Sequence, residues 1–357
     1  MKKLVLFFLS LVSFSLSAQI LPFFDYNKNL KVFYHGQPRQ LEYQPIANYQ
    51  LGDHILAYVD SKGDLRAYDG QNVATVTNMN VDYKVSDTYL AYRISNGFFI
   101  YDNGRSKDYT MYAGDYEVRD SLILFEDTQL NSWNVYYKGQ VRTLVQSTGD
   151  VVKPEFIGDD IVAYRDNGNY YRIFWKGRIF DFDVWMDPIE FSCGTDIACF
   201  NDPTMNTFAV FENGEFKNVE DQFVQSYKAG KDFIVYKDVT GNLMYYSNGD
   251  KEQLSSFADD YQVQDNVVLF FENNYTYTYY QGKKTLVCNY IPKDYKIKND
   301  VIAFRNLMGG VSAFVNGRTF EITTQPNVKY TISGDYVIAN LFNFSYAILA
   351  DGRIYNF

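Results

Sequence analysis

A glycine recurs along this chain at nearly even intervals, each time closing a short run of apolar and aromatic residues. Successive copies lie 33 to 38 residues apart, so the pattern spans the sequence almost from end to end. A fixed period of this length restricts the chain to repeat architectures, because each short unit buries its apolar face only against neighbouring copies. The ten glycines are Gly36, Gly70, Gly104, Gly139, Gly177, Gly214, Gly249, Gly282, Gly317 and Gly352.

Further columns repeat in step with the glycine. A run rich in β-branched and aromatic residues precedes it, as at 55–58 and 89–92, and an aromatic-x-apolar step such as 83–85 precedes that run. An apolar residue also lies five positions after most of the glycines, and in the last copy this residue is Phe357. Such runs, bounded by Gly, Asp and Asn, predict strands. Each copy therefore holds four short strands, and residues 353–357 complete the last copy with Phe357 as a buried anchor.

The short joins between the predicted strands determine how they pair. Only Ser86, Asp87 and Thr88 separate the first two strands of the third copy, which is too few to cross a sheet, so these strands form a tight hairpin. The result is an all-β fold, a β-propeller of about ten short antiparallel repeats of four strands and ~35 residues each. The 33 Tyr and 29 Phe agree with an all-β core. An open β-solenoid and two smaller rings are the alternatives, and the first copy lacks an obvious first strand.

This pattern resembles the bacterial exported β-propeller repeat proteins in general, over essentially the whole chain after residue 18. The resemblance implies a ring of blades around a central channel. It does not extend to one family, because the Gly-His to Trp-Asp signature of WD40 repeats and the Ser-x-Asp-x-Gly-x-Thr-Trp box of sialidases are missing from the sequence.

The first 18 residues have the features of a secretory signal peptide. Lys2 and Lys3 precede an apolar run at 4–16, and Ser17-Ala18-Gln19 supplies small residues at a cleavage position. We expect residues 1–18 to be removed and residues 19–357 to form the propeller domain. No cysteine stands at the cleavage position, and no later apolar run approaches the ~18 residues of a transmembrane span. These two features predict a periplasmic or secreted protein.

The charge of the chain argues against one class of partner. Its 43 acidic residues exceed its 33 basic ones, for a net charge of −10, whereas phosphate binding needs clustered Lys and Arg. We therefore expect no nucleic-acid partner, and we expect a monomer.

Candidate catalytic residues are scarce. The two histidines, His35 and His54, both occupy predicted turns, so the sequence offers little for a Ser-His-Asp triad or a histidine zinc site. Cys193 and Cys199 flank one predicted hairpin, and packing in the core is the simpler interpretation, although a disulfide is conceivable in an oxidising compartment. We predict no enzyme activity and no cofactor.

An acidic or amide residue recurs after the second strand of many copies. Such a column could ring one rim and bind calcium or a basic partner, but Asp also stabilises hairpin turns through its own side chain, and the spacing of a calcium loop is missing. We expect turn chemistry. The residues are Asp60, Asp127, Asp166, Asp202, Asp238, Glu272 and Asn306.

The three tryptophans lie in the copies with irregular length. Trp133 belongs to a long hairpin, and Trp175 and Trp185 belong to the stretch 174–190. Because insertions in repeat proteins map to loops that often form the binding face, these residues are candidate ligand contacts for a protein or a glycan. Anchoring of the loops against the core is the alternative.

The first functional hypothesis is a non-enzymatic exported scaffold that presents one propeller face to a protein partner. The second is a carbohydrate-binding propeller that uses the tryptophan loops. The third is a propeller glycosidase, which needs paired carboxylates in a cleft.

Overall fold

The structure is a computed structural model, and it describes residues 19–34, 36–79, 81–182 and 188–357. The predicted signal peptide at 1–18, His35 and Trp185 lie outside the described residues. Strands dominate, and the helical content of the described residues is one three-residue 3-10 turn at Phe342–Phe344. No helix in this part of the chain has the length and apolarity needed to cross a membrane.

The strands form ten antiparallel sheets that follow one another in chain order. Each sheet is one blade, and its strands pair in sequence order as a meander, as the short joins predict. Blade 1 holds three strands and each of the others holds four. Blades 1 to 5 comprise β1 Leu21–Phe24, β2 Asn29–Tyr34, β3 Gln37–Pro45; β4 Asn48–Leu51, β5 Leu56–Val59, β6 Leu65–Tyr68, β7 Val73–Thr77; β8 Asp82–Val85, β9 Leu90–Ile94, β10 Gly97–Asp102, β11 Arg105–Thr110; β12 Ala113–Val118, β13 Leu122–Asp127, β14 Ser132–Tyr137, β15 Gln140–Gln146; β16 Phe156–Ile157, β17 Ile161–Arg165, β18 Tyr171–Trp175 and β19 Arg178–Phe182.

The remaining blades repeat the same plan. Blades 6 to 10 comprise β20 Ser192–Cys193, β21 Ile197–Asp202, β22 Thr207–Glu212, β23 Glu215–Glu220; β24 Ser226–Ala229, β25 Ile234–Lys237, β26 Leu243–Ser247, β27 Asp250–Ser255; β28 Asp260–Gln264, β29 Val267–Glu272, β30 Tyr275–Tyr280, β31 Lys283–Cys288; β32 Tyr295–Lys298, β33 Val301–Arg305, β34 Val311–Val315, β35 Arg318–Thr323; β36 Lys329–Ser333, β37 Tyr336–Asn340, β38 Tyr346–Ala350 and β39 Arg353–Asn356.

The first strand of a four-stranded blade lies innermost, where it contacts the first strand of the next blade. Polar side chains on these strands hydrogen-bond across the junctions between blades. Lys84 Nζ donates to the Tyr116 carbonyl at 2.6 Å, and Lys296 Nζ donates to the Tyr330 carbonyl at 2.7 Å. The middle strands fill the apolar layers between blades, so that Leu122 and Leu124 of blade 4 pack in one cluster with Tyr164 of blade 5. Each blade is thus stabilised by its neighbours.

The ring closes between blade 10 and blade 1. Gln19 Nε2 donates to Asp335 Oδ2 at 2.9 Å, and the Asp335 N–H donates to Gln19 Oε1 at 3.1 Å. Phe23 of blade 1 packs its ring against Tyr346 of blade 10 at a centroid distance of 5.4 Å. The alternatives of an open solenoid and of two smaller rings are therefore wrong. Among the described residues no strand is shared by the two ends of the ring, and blade 1 lacks a first strand, as the sequence predicted.

The structure changes one local expectation, for Phe357, and resolves the alternatives left open for the two cysteines. Phe357 stacks beside Phe23 with ring centroids 6.2 Å apart, but its side chain is 37 % exposed, because it lies at the end of the outermost strand. It is thus an anchor at the rim and not a core residue. Cys193 and Cys199 are both free, and they sit on opposite faces of blade 6, since Cys193 pairs with Ala198 and Cys199 with Ser192.

Candidate interaction face and acidic channel mouth

Strand direction sorts the turns of every blade onto two opposite faces of the ring. The turn between strands 2 and 3 and the connection to the next blade lie on one face, which we call the apolar face. The turns between strands 1 and 2 and between strands 3 and 4 lie on the other, which we call the acidic face. Because the pattern repeats in every four-stranded blade, residue types that recur in one kind of turn accumulate on one face.

Large exposed apolar side chains are concentrated on the apolar face. Five of the described residues with such side chains are exceptions. These five lie on outermost strands and not on turns of the acidic face, and they are Val73, Val141, Ile179, Leu286 and Ile354. The apolar face carries Tyr26, Tyr43, Tyr49, Met79, Met111, Tyr112, Leu130, Val152, Tyr170, Met205, Phe223, Val239, Phe257, Tyr275, Ile291, Leu307, Met308, Phe342, Phe344 and Phe357.

The recurring Asp column also lies on the apolar face, and it performs the turn chemistry that the sequence predicted. Asp238 Oδ1 accepts the Thr240 N–H at 2.8 Å and the Asn242 N–H at 2.9 Å. Asp60 bonds the backbone of Lys62 and Asp64 in the same way. Because these oxygens are already bonded to the backbone of their own turns, they are poorly placed to bind calcium or a basic partner.

The acidic face narrows to a channel mouth at the turns between strands 1 and 2. Carboxylate oxygens of Asp120, Asp159 and Asp265, from blades 4, 5 and 8, lie within 4.8 Å of one another. Asp87 lines the same cavity, which has a volume of about 290 Å³. From the sequence, Ser86-Asp87-Thr88 is predicted only as a hairpin turn, and the cluster is not predicted. The recurrence of Asp in the first turn of several copies is the signal that indicates it.

Two residues of blade 9 reach across the channel to blade 2. Lys298 Nζ lies 2.5 Å from Asp53 Oδ1 and 3.8 Å from Asp87 Oδ1. Asn299 Nδ2 donates to Asp53 Oδ2 at 2.7 Å. Since blades 10 and 1 separate blade 9 from blade 2, these contacts span the mouth. Asp120, Asp159 and Asp265 make no ion pair with a described residue, although the charges of Lys298 and Arg119 act to lower the pKa values of Asp265 and Asp159.

Burial and mutual repulsion raise the pKa values of the carboxylates at the channel mouth. Burial, followed by the charges of Asp159, Asp87 and other carboxylates, raises the pKa of Asp120 to about 8. Burial is also the main cause that raises the pKa values of Asp159 and Asp265. Burial alone would lower the pKa of Lys298, but its contact with Asp53 outweighs that effect and raises it. Lys298 therefore stays charged while part of the carboxylate cluster holds protons.

Comparison with known proteins identifies the family. The chain matches the family described as the 10-bladed beta propeller domain over residues 14–355. This protein is a member of that family. No curated protein matches the chain.

Solved structures resemble this ten-bladed propeller only distantly. A computationally designed protein, Ika8, has a TM-score of 0.38 at 10 % identity and covers 93 % of this chain and 99 % of its own. Prp20p from Saccharomyces cerevisiae has a TM-score of 0.32 at 9 % identity and covers 64 % of this chain and 81 % of its own. Because these scores are below 0.5, neither likeness enters the functional argument.

The chemistry available at the mouth of the ten-bladed propeller is that of clustered oxygen donors. Asp120, Asp159 and Asp265 are the described residues that could hold a hard divalent cation such as Ca²⁺. The raised pKa values of these groups favour protons on the same oxygens, so the cluster alone does not assign a metal. His54, the histidine among the described residues, lies at the edge of a separate cavity with Asp69 and Asp102, on the same face.

The predicted ligand contacts occupy different environments in the ten-bladed propeller. Trp133 is 3 % exposed and packs in the core between blades 4 and 5, because its long hairpin continues as strand β14. Trp175 is half-buried, and its Nε1 donates to Asp196 Oδ1 at 3.0 Å. Trp185 lies outside the described residues. The two described rings are anchored, as in the alternative that the sequence left open, and the structure does not bring them together.

Proposed function

We propose that this ten-bladed propeller is an exported, non-enzymatic scaffold that binds a protein partner through its apolar face. The observation that carries the proposal is the sorting of exposed apolar side chains onto that face. Exposed apolar surface of this extent marks interaction sites in soluble proteins, because it is unfavourable to leave in water. The export part of the proposal rests on the sequence pattern at residues 1–18.

Residues on the apolar face are suited to protein contact. Met205 is 62 % exposed in the turn between β21 and β22, and Phe257 is 73 % exposed in the connection between β27 and β28. Aromatic residues and Met are enriched in the buried cores of protein interfaces. Methionine adapts to irregular surfaces because its side chain is flexible.

Site-specific photo-crosslinking tests the proposal. A crosslinking amino acid is placed at Met205 or Phe257, or at the exposed Asp232 of the acidic face as a control, and the protein is exposed to native envelope extract. We expect discrete protein adducts from the first two positions only. The partner, once identified and purified, should bind M205S/F257S more than about tenfold more weakly than wild type. V73S/I354S, which alters exposed apolar residues on outermost strands, should bind as wild type.

Adducts formed equally from both faces would contradict the proposal. An M205S/F257S variant that binds the purified partner as tightly as wild type would contradict it as well. Melting curves of the M205S/F257S and V73S/I354S variants distinguish both results from misfolding.

A glycosidase is the second candidate, favoured by one observation at the channel mouth. Asp120, with a pKa raised to about 8, lies within 4.8 Å of other carboxylates in a cavity. A protonated carboxylic acid beside an ionised one is the pair that glycoside hydrolysis uses. Reproducible turnover of a glycoside that Asp120→Asn abolishes would favour this candidate over the scaffold. A complete lack of turnover across glycoside substrates is the result that we expect.

A further inference from the structure

One sector of the apolar face combines highly exposed apolar side chains from the turns of three consecutive blades. Leu307 and Met308 of blade 9 are 75 % and 82 % exposed, and Tyr26 of blade 1 is 76 % exposed. Phe342 and Phe344 of blade 10 lie between them. We call these five residues the apolar sector.

The loops that carry the apolar sector are connected to one another across the blade boundaries. The Tyr26 and Phe344 rings meet edge to face with centroids 5.5 Å apart. On the other side, the Phe342 N–H donates to Gln325 Oε1 at 3.0 Å, and the Asn327 N–H donates to the Gly309 carbonyl at 3.2 Å. The loop that carries Leu307 and Met308 is thereby linked to the loop that carries the two phenylalanines.

The turn of blade 10 places an aromatic residue in the left-handed region. Phe344 has φ of +59° and the preceding Asn343 has φ of +61°. At left-handed positions, the corresponding turns of other blades place small, polar or charged residues, as at Gly63, Asn206 and Lys28. A bulky residue with positive φ is strained, and such strain concentrates where a side chain has a function beyond folding. The strain here holds an apolar ring on the surface.

Unpaired lysines border the apolar sector on an otherwise acidic protein. Lys28, Lys293 and Lys329 are exposed, and none makes an ion pair with a described residue. The nearby acids are already paired, Asp25 with Lys31 at 3.3 Å and Asp294 with Arg305 at 3.1 Å. The local uncompensated charge is therefore positive, whereas the whole chain carries −10.

We propose that the apolar sector docks this propeller onto a lipid surface that contains anionic headgroups. Projecting apolar and aromatic tips beside lysines match both components of interfacial binding, which scales with buried apolar area and with attraction to anionic lipid. The sector fits lipid better than it fits a protein, because its side chains project from turn tips and a bilayer deforms around them. Repulsion of the acidic remainder would orient the molecule with blades 9, 10 and 1 toward the lipid. This inference goes beyond the proposed protein-binding function and does not rest on it.

Vesicle flotation with phosphatidylcholine alone and with added phosphatidylglycerol tests the inference. We expect the wild-type protein to float with the mixed vesicles and F342S/F344S to lose more than about tenfold in partitioning. K28Q/K293Q/K329Q should lose more than about tenfold on the mixed vesicles and little on phosphatidylcholine alone, with a reduced dependence on salt. M205S/F257S, on the same face in other blades, should float as wild type.

Phe344→Gly separates a role in docking from a role in folding. Glycine relieves the left-handed strain, so the variant should melt at the same or a higher temperature, and yet it should bind mixed vesicles less. A wild-type protein that does not float, or sector and M205S/F257S variants that lose partitioning equally, would overturn the inference. If F342S/F344S reduces binding of the purified protein partner while vesicles never bind, the sector is a protein contact and the lipid proposal is wrong.

Discussion

Individual glycines at the hub of the ring have no room for a side chain. A Cβ at Gly194 would lie 1.7 Å from the Gly230 carbonyl oxygen of the next blade. Gly194→Ala should therefore force the innermost backbones of blades 6 and 7 apart and reduce the free energy of unfolding by at least about 1–3 kcal/mol, as overpacking does in cores. Urea denaturation measures this, with Gly149→Ala as the control because nothing lies within 4 Å of its Cβ. Equal midpoints for the two variants would show that the hub can relax.

The raised pKa of Asp120 at the channel mouth predicts how the stability of the protein depends on pH. The pKa of Asp120 is raised from its usual 3.8 to about 8, so the folded protein holds a proton that the unfolded chain releases between those values. Stability from this group is fully present below the lower value and is lost as the pH rises through the upper one. We expect this group to lower the melting temperature progressively between about pH 4 and about pH 8, with no further fall above that range, and Asp120→Asn to reduce that fall. Asp232→Asn, at an exposed turn of the same face, should leave it unchanged.

The residue types in the sequence predicted the hydrogen bonding of the Asp turns, but they did not predict the carboxylate cluster at the channel mouth. The reason is physical. An Asp in a turn bonds to backbone two residues away, so the local sequence contains all that its role requires. Asp53 meets Asn299 across 246 residues of chain, and only closure of the whole ring brings them together. For Trp133 the sequence left two alternatives open, because the length of its hairpin does not reveal that the ring points inward from strand β14.

At the scale of one element, the turn between strands 2 and 3 depends on its first carboxylate. Asp238→Ala removes an acceptor that bonds two backbone N–H groups, and charge-assisted bonds of this kind contribute about 1.5–3 kcal/mol. We expect a loss of stability of about that size, measured by urea denaturation. Because this turn needs no bound cation, EDTA should not lower the melting temperature of the wild-type protein by removing one from it. A chelator effect that Asp238→Ala removes would instead indicate a bound cation.

The last strand is a second element whose contribution can be measured. β39 pairs with β38, and Phe357 exchanges two backbone hydrogen bonds with Tyr346 at 2.8 and 3.0 Å. Deleting residues 353–357 should expose the edge of the buried strand β38, lower the melting temperature and promote aggregation. Phe357→Ala keeps the strand and should lose less than the ~3–5 kcal/mol of a core Phe, because the ring is 37 % exposed. A truncated protein that melts with wild type would show that β39 is dispensable.

For the whole molecule, the sequence predicted the repeat, the meander and the number of blades. Each of these follows from short-range rules applied ten times, namely strand composition, tight joins and a fixed period. The sequence did not predict the difference between the two faces, because the exposed apolar residues that create it are spread over both the turns and the connections between blades. Met205 and Phe344 lie in turns between strands 2 and 3, Phe257 lies in a connection between blades, and their common feature is the face on which they lie.

The junction between blade 10 and blade 1 has a mechanical consequence. Gln19, Asp335 and the packed rings of Phe23 and Tyr346 hold it, and no chain connection of the described residues crosses it. A load applied between the two ends of the ring would part this junction first, because at the other junctions a chain connection also joins the two blades. The ring would first open into a curved chain of intact blades. Only a larger force would then unfold those blades one after another.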